Sequence, residues 1–388
     1  TYTWGVFDSY SYGKPNLKVT LKNSVAIGGK EGGNNNTVYA CGERLILEND
    51  TIYGTYSEYD CVFVQGGCSL DAKNTVMVDA KRSGVYSQAS NVSLDSCVIS
   101  GNKECGIYTI DGNVLSLKNC IVGLSTDARS KKGNGVGINS SSAYVFLENN
   151  VIAGNEKEGI KITNGNTRIE LLAGNYIGTN KDFENLGNGL DGLYLGGGTV
   201  TFPSTLDSAN YIGFNGKNGI YTNGRASLNI SCNYIGITAS GNLMPNEEYG
   251  VYFYSNATSN TFKNVFGYNK QGALFFTNFG TSPQFISENL FFGTEGNAID
   301  LNGVTYRVFT PRISKIERVL DSIYIEGTTD TTFVSDIELF YTNGESQTAH
   351  KFLGRKSTTK QGEFSFVIPV ETLPKNGNVC FSATATYN

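Results

Sequence analysis

The chain is 388 residues long with a formal net charge of −5, and only 17% of its residues are charged. That balance offers no basic stripe to displace counterions from a phosphate backbone, which excludes nucleic acid as a partner. The 47 glycines, 23 tyrosines and 22 phenylalanines set against 7 prolines point to β-structure with many tight turns, and no apolar run reaches the roughly 18 residues of a membrane helix.

Taken in chain order, residues 1–14 carry Trp4 and several Tyr and Ser, and are expected to cap one end of the next region or to pair with a neighbour. From residue 15 one unit recurs: an alternating apolar stretch, an Asn, then two apolar residues. It reads LILENDTI at 45–52, VSLDSCVI at 92–99, LSLKNCIV at 115–122, VFLENNVI at 145–152, IELLAGNYI at 169–177 and FISENLFF at 285–292. The pivot falls at Asn23, Asp50, Asn74, Ser96, Asn119, Asn150, Asn175, Asn210, Asn233, Asn264 and Asn289, roughly 27 residues apart, which is a solenoid period. Alternation inside each unit means strand. A leucine-rich repeat is the competing solenoid, but nothing here reads as a helix.

Two residues after each pivot stands an apolar residue expected in the core: Val25, Ile52, Val76, Val98, Ile121, Ile152, Ile177, Ile212, Ile235, Phe266 and Phe291. The pivots can then stack their side chains, and the run Asn119, Asn150, Asn175, Asn210, Asn233, Asn264 and Asn289 is read as a structural ladder that satisfies buried turn backbone. A second element, Gly-apolar-x-apolar, follows at Gly106, Gly135, Gly159, Gly192, Gly219, Gly250 and Gly272.

With NVIAGNEKEGIKI at 150–162, NYIGTN at 175–180 and NLFFGTEGNAIDL at 289–301, the chain resembles right-handed parallel β-helix proteins of the pectate-lyase-like superfamily, with repeats of the carbohydrate-binding and sugar-hydrolase type. The resemblance implies an all-β fold: a right-handed parallel β-helix of about eleven coils over residues 15–304, followed by a small β-sandwich. It implies no single function, because the superfamily spans lyases, hydrolases, tailspikes and adhesins. Near residue 302 the period stops, and short strands separated by polar turns fill 305–388. Their ending, FSATATYN, is similar to the last strand of immunoglobulin-like modules in large prokaryotic surface proteins.

Chemistry is sparse. Enzymes of this superfamily present clustered Asp with an Arg or Lys base, or paired Asp with a His, and this sequence departs from both. The single histidine, His350, is placed in the C-terminal module far from any coil, and no metal-spaced set, phosphate loop or nucleophile elbow occurs. Glu158 and Asp191 precede the Gly of the second element in neighbouring coils and form the one candidate catalytic pair, about one strand spacing, roughly 5 Å, apart. A polar turn ladder, with Asn134 in the coil before and Asn218 in the coil after, is the simpler account. Outward positions align Tyr176, Tyr211 and Tyr234 in one stripe and Tyr194, Tyr221 and Tyr252 in another, a candidate binding surface for protein or sugar. Strand propensity and stacking between coils explain the same pattern without a ligand.

The eight cysteines suit an oxidising compartment. Cys97 and Cys120 follow pivots in adjacent coils and are candidates for a disulfide; Cys61 and Cys68 flank the Gly66-Gly67 turn and form a second candidate pair. The expectation is a non-catalytic structural or adhesive protein of a cell surface or extracellular layer, needing no cofactor or metal. Its partners would be copies of itself or other envelope proteins, assembled through the aromatic stripes. The alternatives are a polysaccharide lyase or glycosidase, a phage-type depolymerase included, and a glycan-binding module without turnover.

Overall fold

The computed structural model describes residues 2–4, 7–10, 18–28, 36–42, 44–112, 114–142, 144–163, 165–203, 205–223, 226–254, 257–277, 284–293, 296–302, 310–329, 334–342, 349–375 and 379–387. The chain winds as a right-handed parallel β-helix with three sheets, here A, B and C, of twelve, twelve and eleven strands. Each coil runs through C, then A, then B, as in Ala226–Ser231, Tyr234–Ile235 and Tyr249–Tyr254. Eleven such coils follow an initial pair of strands. That pair, Tyr2–Trp4 and Phe7–Tyr10, lies in the 1–14 segment and adds the first strand to sheets A and B by pairing with Val25–Ile27 and Val38–Cys41.

Inward residues from the three sheets form one continuous core. Leu115, Val122 and Ile138 in one coil and Ile169, Ile177 and Leu193 in another are 0–1% exposed. In-register parallel pairing stacks each on its counterpart in the next coil, so burial needs no long-range specificity beyond the repeat.

In four of the first five coils the register differs from the sequence expectation by one residue; the exception is the second, where Asp50 is buried in the stack and Ile52 points inward as expected. Asn23, Asn74, Ser96 and Asn119 have positive φ of 52, 48, 56 and 55°, so they form the left-handed turn corner. The stacking position is the next residue, held by Ser24, Thr75, Cys97 and Cys120, and the inward residues are Ala26, Met77, Ile99 and Val122 in place of Val25, Val76, Val98 and Ile121. Asn suits both the left-handed corner and the buried stack, and the two roles are adjacent in sequence, so the pattern permits either alignment. From Asn150 onward the pivot residues themselves occupy the buried stack.

Outside, sheet C carries an alternating charge column: Lys22, Glu48, Lys73, Asp95, Lys118 and Glu148 occupy one register position in successive coils. Lys22 pairs with Glu48 at 3.0 Å and Lys118 with Glu148 at 3.1 Å. Such pairs are exposed and stabilise little, but a coil paired out of register would set like charges together.

Beyond the coils, two three-stranded antiparallel sheets are formed by Arg312–Val319, Ser322–Thr328 and Glu363–Pro369, and by Lys351–Ser357, Ser335–Thr342 and Cys380–Tyr387. They share an apolar cluster of Ile325, Ile337, Leu339, Phe364, Phe366 and Ile368. The expected boundary at 304/305 lies outside the described residues. This region docks on the last coil: Phe291 N–H donates to Ala349 O at 2.8 Å, and buried Glu338 accepts from Ser287 Oγ and, at 2.9 Å, from Glu288 N–H. His350 is therefore not remote from the coils, because its ring stacks on Phe292 at 4.8 Å and 8°.

Candidate functional site

The outer face of sheet B carries a column set strand by strand by parallel pairing. Tyr39, Phe63, Tyr86 and Tyr108 occupy it in successive coils, then Asn139 and Lys161, then Tyr194, Tyr221, Tyr252 and Phe275. The rings pack on one another: Phe63–Tyr86, Tyr86–Tyr108 and Tyr194–Tyr221 stack at 4.8, 5.4 and 5.4 Å, and Tyr221–Tyr252 meet at 5.1 Å with a tilt of 31°. Ring faces are thereby used against each other, and edges and hydroxyls are left for solvent. Burial pushes the Tyr221 phenol up to about 12, so it stays protonated, both donor and acceptor. The tyrosines at 194, 221 and 252 thus share one column, and they are only half-buried.

Three residues earlier in each coil runs a second, buried column at the entry to sheet B: Asn36, Asp60, Ser83, Cys105, Val136, Glu158, Asp191 and Asn218. The residue aligned with Glu158 in the preceding coil is Val136, not Asn134, and the aligned glycine is Gly137, not Gly135; the coil boundary sits two residues later than the motif alone suggests. In the last of these coils Ala273, not Gly272, holds the glycine position.

Asp191 is satisfied by its neighbour, its Oδ1 accepting from Asn218 N–H at 3.0 Å and Nδ2 at 2.9 Å. Burial still raises its pKa above the usual carboxylate value, with those bonds opposing the shift. Glu158 Oε1 accepts from Lys161 Nζ at 3.0 Å, while its buried Oε2 has no hydrogen-bond partner. Lys161 Nζ also lies 5.2 Å from the centre of the Tyr194 ring, a cation–π distance. Asn139 Oδ1, one coil back, is buried and unpartnered too. Asp60 Oδ1 accepts from Ser83 N–H at 2.8 Å, and its Oδ2 has no partner; burial lifts this carboxyl to about 6 despite the Ser83 amide and the Arg82 charge.

The other tyrosine stripe is largely spent inside the molecule. Tyr176, Tyr211 and Tyr234 stack at 5.4 and 5.1 Å, and Phe183, from the loop after Gly178, caps the stack at 4.9 Å from Tyr211 and 5.9 Å from Tyr176. The cysteine pairs are not bonded, all eight thiols being free. Cys97 and Cys120 hold one register position in adjacent coils, where the strand spacing of about 4.8 Å falls within the Cα range of a disulfide, but each stays a thiol, Cys97 Sγ donating to Asp95 O at 3.4 Å and Cys120 Sγ to Lys118 O at 3.3 Å. Cys61 and Cys68 sit at opposite ends of the strand Val62–Gln65, which at ~3.3 Å per residue keeps them more than ~10 Å apart.

A second asparagine ladder has no counterpart in the sequence reading. Asn102, Asn134, Asn155, Asn188, Asn215, Asn246 and Asn269 are buried between sheets A and B, and each Nδ2 donates to the next Oδ1 at 2.7–3.0 Å. The signal available was the Asn that follows a turn in the segments AGN at 153–155, GFN at 213–215 and GYN at 267–269.

Among the described residues no group of three or more His, Cys, Asp or Glu side chains is gathered to hold a metal ion. A cleft of about 450 Å³ in the C-terminal sheets is lined by Ser314, Glu326, Lys356 and Glu363. Those four side chains are exposed, whereas ligand sites enclose their ligand; the candidate site is the sheet B face.

Residues 16–181 match the family described as right handed beta helix region. None of the curated proteins matches the chain. Among solved structures, the chain is similar to the A-module of mannuronan C-5 epimerase AlgE6 from Azotobacter vinelandii, with a TM-score of 0.36 and 17% identity over 74% of this chain and 88% of that one. It is also similar to the tailspike protein gp49 of Acinetobacter baumannii bacteriophage Fri1, a capsular polysaccharide depolymerase, with a TM-score of 0.22 and 10% identity over 95% of this chain and 64% of the tailspike.

Proposed function

We propose that this is a surface or extracellular protein that holds a polysaccharide against the outer face of sheet B. One observation carries the reading: the aromatic column of that face breaks at Asn139 and Lys161, beside buried oxygens of Asn139 and Glu158 that have no partner. Unsatisfied buried acceptors cost free energy in the free protein that a ligand's donors recover. On either side, stacked tyrosines offer hydroxyl-bearing edges at intervals of 5.1–5.4 Å, a rigid row of donors and acceptors suited to an extended polymer of hydroxyl groups. The C-terminal sheets, read as an immunoglobulin-like module, close the last coil in this scheme.

The purified chain is to be screened against a panel of neutral and charged polysaccharides, with gel retention reporting binding and new reducing ends or unsaturated products reporting turnover. The reading expects retention by at least one polymer. Absence of retention across the panel contradicts it, and product formation would add an enzymatic activity.

A second reading, a structural rod assembling with copies of itself or other envelope proteins, is favoured by the outer column of sheet A. It holds Val76, Val98, Ile121, Val151, Tyr176, Tyr211, Tyr234, Val265 and Leu290 in successive coils; Leu124, Leu186 and Phe183 cover its middle, and the half-buried Val76, Val98, Val265 and Leu290 at its two ends are the apolar residues left for an interface. Concentration-dependent sedimentation of the purified chain tests it.

A further inference from the structure

We infer that the break in the sheet B column is a subsite for an uncharged, hydroxyl-bearing sugar residue, whose O–H groups donate to Asn139 Oδ1 and Glu158 Oε2. The inference rests on the glycan reading above and adds the chemical class of the ligand.

The turn column around Glu158 fixes what is missing. One coil on, Asp191 receives two donors from Asn218, at 3.0 and 2.9 Å. Glu158 receives one, from Lys161, although its side chain is only 7% exposed. The unpartnered atoms here, Glu158 Oε2 and Asn139 Oδ1, are both acceptors. A ligand that completes the site therefore brings donors. A carboxylate or sulfate brings acceptors only, and it would meet the negative charge of Glu158. Lys161 is not a free cation for such a group, since it already pairs with Glu158 and lies over the Tyr194 ring. A hydroxyl donates to a carboxylate in a charge-assisted bond, among the stronger hydrogen bonds a neutral ligand can make.

Geometry supports the same place. Asn139 and Lys161 are direct register partners, flanked by Tyr108 in the preceding coil and Tyr194 in the following one. The gap is therefore two coils long, and the column is aromatic for several coils on each side. Lys161 is 30% exposed and carries a flexible four-carbon stem, so the side chain that pairs with Glu158 Oε1 can swing aside without movement of the backbone.

The test is affinity gel electrophoresis of the full chain and of its Glu158→Gln and Asn139→Leu variants. The gels contain amylose, mannan or galactan as neutral polymers, alginate or polygalacturonate as anionic ones, and chitosan as a cationic one, with a melting curve for each protein. The subsite predicts retention of the wild type by at least one neutral polymer and at least a tenfold loss of apparent affinity in each variant that melts cooperatively. Glu158→Gln is isosteric and tests the site even if Asn139→Leu fails to fold. Retention by anionic polymers or chitosan alone overturns the ligand class but leaves the glycan reading standing. Retention by a neutral polymer that both variants keep unchanged overturns the subsite. No retention by any polymer overturns both.

Discussion

Asn150 and Asn175 are joined by two bonds to one atom: the Asn150 backbone N–H and side-chain Nδ2 donate to Asn175 Oδ1 at 3.0 and 2.9 Å. Asn175 in turn donates its Nδ2 to Leu147 O at 2.8 Å and to Asn210 Oδ1 at 2.9 Å. Removing that side chain orphans donors and acceptors in two coils, all of them buried. Asn175→Ala should cost about 3 kcal/mol or more, read as a loss in the urea midpoint at unchanged slope. Asn119→Gly should be close to neutral, because Asn119 is exposed at a left-handed corner with φ of 55°, where glycine is at ease.

These two asparagines show how far the sequence could be read. Period-2 alternation and the spacing of apolar pairs were enough for the coil, because burial of one strand face is a local property. Which of two adjacent residues turns the corner and which stacks was not legible in the early coils, since Asn, Ser and Thr serve both roles. The second ladder was hidden because Asn102 and Asn134 are followed by segments of unequal length. The aromatic column was legible only where tyrosine repeats in consecutive coils, and its interruption at Asn139 and Lys161 needs the strand pairing to be seen at all.

Asp60 gives a stability that depends on pH in a stated sense. Its carboxyl titrates near 6 in the folded chain against an ordinary 3.8, so between those values the folded state holds a proton that the unfolded state has released. Stability then falls as pH rises through this window, by on the order of 3 kcal/mol. Asp60→Asn keeps the Oδ1 acceptor for Ser83 N–H and removes the buried charge; it should raise the melting temperature at pH 7.5 and leave it nearly unchanged at pH 4. An equal effect at both values would assign the shift to packing.

The charge column of sheet C should be sensitive to salt. Asp95 stands between Lys73 and Lys118 in register, and their charges, after the bonds from Ser96 and Asn119, hold its pKa below the usual carboxylate value. Asp95→Lys places three cations in a row, and should lower the melting temperature at low ionic strength and recover much of the loss in 1 M salt, where the Debye length is about 3 Å. A loss that salt leaves unaltered would indicate steric damage.

Tyr211 should matter to stability more than its half-exposure suggests. Its ring is stacked on both sides, by Tyr176 and Tyr234, and met edge-on by Phe183. Tyr211→Ala should cost about 2 kcal/mol in thermal or urea unfolding, with no change in polysaccharide retention, since this stack is on sheet A. Lost retention with unchanged stability would move the binding face to sheet A.

Hydroxyl-radical footprinting of the full chain, with and without a polymer that retains it, measures residue by residue where a polysaccharide lies. Protection should centre on Tyr108, Lys161, Tyr194 and Tyr221 along sheet B, with the sheet C charge column and the C-terminal sheets labelled as before. Protection confined to sheet A, sheet C or the C-terminal sheets, with sheet B labelled equally in both states, would contradict binding at sheet B.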